Sequence, residues 1–202
     1  MSEEQDAGSA WDALEGVRIP RGYQVEITAG KIIMTPRTAE QPGVVRGAEQ
    51  QVREQLAGHG TVLSGVVVDF ASPQYGYAPD LALVAPGARR NARQRFEARD
   101  LEAVLEVVPR SRQDDDFVRK QRYLAASGIP LYVVVDPAAA VCTVHSHPLQ
   151  GGTYREAERV PFGNDLFLPL PGRTLVLRTD DFPAGPPTPG AGPGAGRGIV
   201  DG

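Results

Sequence analysis

Apolar positions recur along this chain with two periods, and the alternation between them predicts a mixed α/β or α+β domain. Tyr23-Gln24-Val25-Glu26-Ile27 alternates with period two, Gly30 offers a turn, and Lys31-Ile32-Ile33-Met34 resumes an apolar run. Together they predict a β-hairpin, closed by Pro36 and Pro42. Val45, Ala48, Val52 and Leu56 then return at helical spacing among charged and amide side chains, which predicts an amphipathic helix ending at Gly58. Residues 61–70 are β-branched and apolar, residues 72–76 read as a loop, and residues 78–84 read as another strand before Pro86-Gly87. A hairpin or meander follows from that order.

The stretch 88–99 carries Arg89, Arg90, Arg93, Arg95 and Arg99 and is expected to be an exposed loop. Residues 101–108 predict a strand. Residues 114–127 predict a helix whose first turn holds three aspartates, favourable at the positive end of the helix dipole, and which stops at Gly128 and Pro130. Leu131-Tyr132-Val133-Val134-Val135 is apolar throughout, the pattern of a central strand covered on both faces. Further strands are expected at residues 141–145, 153–160 and 174–177. A short helix could begin near residues 9–14. The Pro/Gly/Ala-rich stretch 183–202 cannot bury enough apolar surface to offset its ordering entropy. The expected organisation is a flexible N-terminus (1–10), one folded domain (11–182) and a disordered tail (183–202).

Composition narrows the classes. Cys142 is the only cysteine in 202 residues, which excludes a disulfide scaffold and a zinc ribbon. The apolar run at 131–135 falls far short of the roughly 18 residues a membrane helix needs. The acidic start Met1-Ser2-Glu3-Glu4-Gln5-Asp6 lacks the regions of a signal peptide, so a cytoplasmic protein is expected. Net charge is −4, which weighs against strong nonspecific DNA binding, although a local basic groove is compatible with it. Of 21 basic residues only Lys31 and Lys120 are lysine.

Three acidic positions stand out: Glu26 on the first hairpin, Asp80 after Pro79, and Glu106 within Leu101-Glu102-Ala103-Val104-Leu105-Glu106-Val107-Val108. Strict alternation in the last segment puts Leu101, Ala103, Leu105 and Val107 on one face and Glu102, Val104, Glu106 and Val108 on the other. A carboxylate on such an apolar strand needs a cation or a donor. A divalent ion is one such partner, since Mg²⁺ takes one or two carboxylates together with water and phosphate. Lys120 lies in the helix expected to return towards the same strand. An Asp, a Glu and a nearby Lys are what metal-dependent phosphodiester hydrolysis requires. Blander readings stand beside this one. Glu106 could pair with an arginine, Asp80 could cap a turn, Glu26 could face solvent, and Lys120 could belong to a solvated helix face. His59, His145 and His147 lack ligand spacing and are expected at the surface or in loops, and Cys142 is expected to be a small buried hydrophobe.

In order, Gly22-Tyr23-Gln24-Val25-Glu26, Gly30-Lys31-Ile32-Ile33-Met34-Thr35-Pro36, Pro79-Asp80, Glu106-Val107-Val108 with Asp116 and Lys120 downstream, and Gly128-Ile129-Pro130-Leu131 through Asp136 resemble the Uma-type (Uma-two) restriction endonuclease family. Val160-Pro161-Phe162-Gly163 and Asp180-Asp181-Phe182 are also similar to it. The family is a branch of the PD-(D/E)XK nuclease superfamily. The resemblance covers about residues 22–182 and implies a restriction-endonuclease-like core, a mixed sheet flanked by helices. It further implies an endodeoxyribonuclease with DNA as substrate and Mg²⁺, or Mn²⁺, as cofactor. Asp80 and Glu106 would be the metal ligands, Lys120 the catalytic amine and Glu26 a carboxylate at the edge of the site. A homodimer would suit cutting of a duplex. Two departures accompany the match. The histidine that family members often carry near the start of the long helix after the first hairpin is replaced here by Glu40-Gln41-Pro42, and the usual Ser-Pro-Ser-Thr after the motif glutamate by Pro109-Arg110-Ser111-Arg112. They keep open a second class, a nuclease fold without catalysis that acts as a binding or interaction module.

Overall fold

The computed structural model describes residues 22–28, 31–70, 75–108 and 114–185, which form three sheets and two α-helices. Strands β1 (Tyr23–Thr28) and β2 (Lys31–Pro36) make the expected hairpin. Helix α1 (Gln41–Leu56) follows, with Pro42 in its first turn, where a missing N–H costs nothing, and the Gln41 N–H donating to Thr38 Oγ1. The next strands are β3 (Thr61–Ser64), β4 (Val68–Asp69), β5 (Tyr75–Tyr77), β6 (Leu81–Val84), β7 (Phe96–Glu97) and β8 (Leu101–Val107). Helix α2 (Asp114–Ala126) leads into β9 (Leu131–Asp136), β10 (Val141–Leu149), β11 (Thr153–Pro161), β12 (Asp165–Leu170) and β13 (Arg173–Arg178).

The main sheet has the order β11-β10-β9-β8-β6-β3, parallel between β8 and β9 and antiparallel elsewhere, a mixed sheet as expected. Every residue of β8 is buried, and so are the first five of β9. On one face Ala103, Leu105, Val107, Leu131, Val133 and Val135 pack with Val44, Ala48, Val52 and Leu56 of α1 and with the inward leucines of β12 and β13. On the other, Val104, Tyr132 and Val134 pack with Leu124 and Ile129 in and after α2.

The segments at 61–70 and 78–84 are not the two continuous strands their composition predicts. Ser64 pairs with Leu81 in the main sheet, while Val68 pairs with Tyr77 in a smaller one of order β2-β1-β5-β4-β7. One antiparallel ribbon thus passes from sheet to sheet. The crossing is made at Gly65, which takes φ of +61°, and at Pro79, whose carbonyl accepts the Gly65 N–H at 3.1 Å.

Strict alternation also fails in β8. Leu83 pairs with Ala103 but Val84 pairs with Leu101, so Glu102 is the extra residue of a β-bulge. Leu101 consequently joins the α2 face with Val104, and Glu102 ion-pairs with Arg173 of β13 instead of sharing a face with Glu106.

Other expectations need correction. Within residues 88–99, Phe96 and Ala98 are buried, Phe96–Glu97 pairs in parallel with β4, and Arg95 binds Asp69 at 3.3 Å. Arg90 stacks its guanidinium 4.9 Å from the centre of the Phe96 ring. Strand β12 was not expected, although Leu166, Leu168 and Leu170 alternate inward on it. His145 is not at the surface. It is buried on β10 among Phe117, Tyr132 and Tyr154, and its Nδ1 meets the Gln121 side chain at 3.1 Å. Cys142 is fully buried, and burial pushes its thiol up to about 12. The short helix at 9–14, the termini before residue 22 and beyond residue 185, the turn at Gly30, the loop centre 72–74 and residues 109–113 lie outside the described residues, as do the side chains of Asp114, Asp115 and Asp116.

Burial holds the His145 imidazole below its ordinary 6.5. The unfolded chain therefore takes up a proton as pH falls through that value while the folded protein does not, and folding stability declines below about pH 6.5. Urea midpoints at about pH 7.5 and 5.5 should drop less for His145→Phe than for the native protein. Equal drops would show that the imidazole does not contribute.

Candidate active site

The ribbon crossing sets Asp80 between two sheets, directly after Pro79 and before the first residue of β6. Its side chain is 1% exposed, and three donors surround it. Val107 N–H donates to Oδ2 at 2.9 Å; Gln41 Nε2 and Arg37 Nη1 donate to Oδ1 at 2.6 and 2.9 Å. The first of these ties Asp80 to the end of β8, one residue beyond Glu106.

Glu106 is 2% exposed and points to the face that α2 covers. Lys120, just under two turns into α2, brings its ammonium to 2.6 Å from Glu106 Oε2 and 2.5 Å from Glu26 Oε1. Glu26 comes from β1, in the smaller sheet. The four residues singled out in the sequence therefore meet at one place, contributed by β1, the β5–β6 junction, β8 and α2. Lys120 is 8% exposed, so it does not belong to a solvated helix face, and Glu26 is half-buried rather than a free solvent-facing carboxylate. Lys31, the other lysine, is exposed on β2.

Three polar neighbours, Gln41, Gln24 and Arg37, were not anticipated. Gln41 is 2% exposed and occupies the same stripe of α1 as Val44, Val45, Ala48, Val52 and Leu56. An amide in line with five apolar positions was the available signal. The acceptor-only carboxylate of Asp80 fixes which end of that amide faces it. Nε2 also reaches Gln24 Oε1 at 3.4 Å, and Gln24 Nε2 reaches Glu26 Oε1 at the same distance, so an amide relay joins the two halves of the site. Gln41 stands where the sequence departs from the resembled family's histidine. Arg37 carries no comparable signal in so arginine-rich a chain.

The donor set suits a hard divalent cation. Asp80 and Glu106 offer buried carboxylate oxygens from adjoining strand positions, and Mg²⁺ asks for one or two such groups while keeping several waters. Among the described residues no group of three or more His, Cys, Asp and Glu side chains is assembled for a metal.

The model of the Uma2 family, described as "Putative restriction endonuclease", matches residues 11–178. Among solved structures, the chain is similar to one titled as a putative nuclease belonging to DUF820 from Anabaena variabilis ATCC 29413, at 16% identity and a TM-score of 0.55. That likeness covers 79% of this chain and 88% of the other, and at such identity it speaks for the fold. No curated protein matches the chain. No helix among the described residues is long and apolar enough to cross a membrane.

Removing the ammonium that two carboxylates share should be costly whatever the site does. Lys120→Met is expected to lose about 3–5 kcal/mol of folding stability in urea denaturation, the range for stripping one partner from a buried ion pair. The double variant Lys120→Met/Glu106→Gln should recover part of it. A single variant as stable as the native protein would mean that the pairing is energetically idle.

Proposed function

The chain belongs to the Uma2 family, described as "Putative restriction endonuclease", and on that premise we propose that it is a Mg²⁺-dependent endonuclease, with Mn²⁺ as a substitute, that hydrolyses DNA phosphodiester bonds by attack of water. The observation that carries this reading is the convergence of Asp80, Glu106, Lys120 and Glu26, with the two proposed ligands, Asp80 and Glu106, almost fully buried.

In this reading Asp80 and Glu106 hold the ion. A divalent cation bound there would withdraw charge from the scissile phosphate and lower the pKa of its water. Val107 N–H and Gln41 orient the Asp80 carboxylate, so that its oxygens do not have to reorganise during the reaction. Lys120 provides a second positive charge, which orients the attacking water or offsets charge growing on the phosphate oxygens. Glu26 fixes that ammonium from the first hairpin. An arginine would not replace Lys120, because its planar fork cannot form the same compact point contact with two carboxylates. The exposed Arg89 and Arg93 offer charge for a phosphate backbone, whereas Arg99 is ion-paired with Glu97.

A second reading, a nuclease fold that binds without cutting, draws on one observation: Asp80 Oδ1 is already taken by Arg37 and Gln41.

Purified protein incubated with supercoiled plasmid should nick or linearise it in Mg²⁺ or Mn²⁺ and stop with EDTA. Asp80→Asn and Glu106→Gln should each slow cutting by about a hundredfold or more while leaving thermal unfolding cooperative. Cutting that persists in EDTA, or that is equal in native protein and both variants, overturns the nuclease reading. Retention of plasmid without cutting would favour the binding module.

A further inference from the structure

We propose that Arg37 is a switched phosphate clamp: its guanidinium, which rests on Asp80, passes to a phosphodiester oxygen of the bound strand when a divalent ion is loaded. This inference rests on the nuclease reading above.

The three donors to Asp80 differ in how freely they can leave. Val107 N–H is backbone at the end of a fully buried strand. Gln41 is 2% exposed in the first turn of a helix packed along its whole buried face. Arg37 is 27% exposed, immediately follows β2, and has its own backbone anchored by the Arg37 N–H donating to Gly22 O at 2.7 Å. Its side chain can swing while its Cα stays in place. A hard cation on Asp80 needs a lone pair and is repelled by a guanidinium beside the same oxygen, so Arg37 is the donor that yields.

Charge points the same way. Among the described residues the site sets Asp80, Glu26 and Glu106 against Arg37 and Lys120, three negative charges against two positive, formally −1. A divalent ion makes that +1, which a phosphodiester monoanion then neutralises. The released guanidinium remains at the solvent edge of the site, with a planar pair of donors matched to two phosphate oxygens.

The test pairs two measurements on the full chain: calorimetric titration with Mn²⁺ alone, and plasmid cutting resolved into KM and kcat. Arg37→Ala should bind Mn²⁺ about tenfold more tightly, because a competing cation is gone, yet show a KM raised about tenfold or more. Arg37→Lys keeps the charge without the fork. It should bind Mn²⁺ like the native protein and still show the raised KM. A purely structural arginine would not move the two constants in opposite directions. Unchanged or weaker Mn²⁺ binding by Arg37→Ala, or an unchanged KM, overturns the clamp while native binding and cutting leave the nuclease reading standing. A native protein that takes up no Mn²⁺ to millimolar concentration, or does not cut, overturns both.

Discussion

One ammonium, that of Lys120, holds two carboxylates from different sheets, and much of the architecture around it follows from the need to shield and satisfy those three charges. Glu106 sits on a strand buried on both faces, where an uncompensated charge would be prohibitively costly. Its partner must therefore arrive on the α2 face, and α2 must dock with Lys120 inward rather than in solvent. Leu124, one turn further along α2, is fully buried against Tyr132 and Val134 and fixes that docking apolarly. The ion pair and the packing thus select the same orientation of the helix, which is how a buried charge can add specificity without adding much net stability.

The second constraint is the crossing of the ribbon between sheets. A strand that stayed in one sheet could present Asp80 only to its own neighbours. Because Pro79 lacks an N–H and Gly65 adopts a left-handed conformation, the chain changes sheets at that point and leaves Asp80 where both sheets and the start of α1 are in reach. The arginine that enters the acidic centre comes from the connection between β2 and α1, and the amide from the first residue of α1.

Much of this was legible in the residue order. The hairpin, both helices, the central strand at 131–135 and the strand carrying Glu106 follow from period and breakers alone, and the scarcity of lysine made Lys120 conspicuous. What was not legible has physical causes. A β-bulge at Glu102 changes the parity of a strand without any compositional mark, so Glu102 and Glu106 part company. His145 reads as polar in sequence, yet in its neutral form it packs among Phe117, Tyr132 and Tyr154 as an aromatic. Short pairings such as Phe96–Glu97 depend on distant partners and leave no period to detect. Among the site residues, Gln41 was the omission whose signal was present, since an amide on an apolar stripe needs a buried partner and Asp80 supplies it.

Two glutamines, Gln51 and Gln55, lie towards the far end of α1. Gln51 and Gln55 each donate to and accept from the backbone of β13, at Arg178 and Val176, so their amides complete the strand's outer edge as a neighbouring strand would. Strand addition by another chain is blocked along that stretch. More consequentially, four hydrogen bonds in fixed register stop α1 from sliding along its own axis. Gln41 lies ten residues before Gln51, about 15 Å along the helix. The C-terminal hairpin therefore acts as a ruler: it sets how far α1 projects, and with it whether the carboxamide of Gln41 reaches the carboxylate it serves.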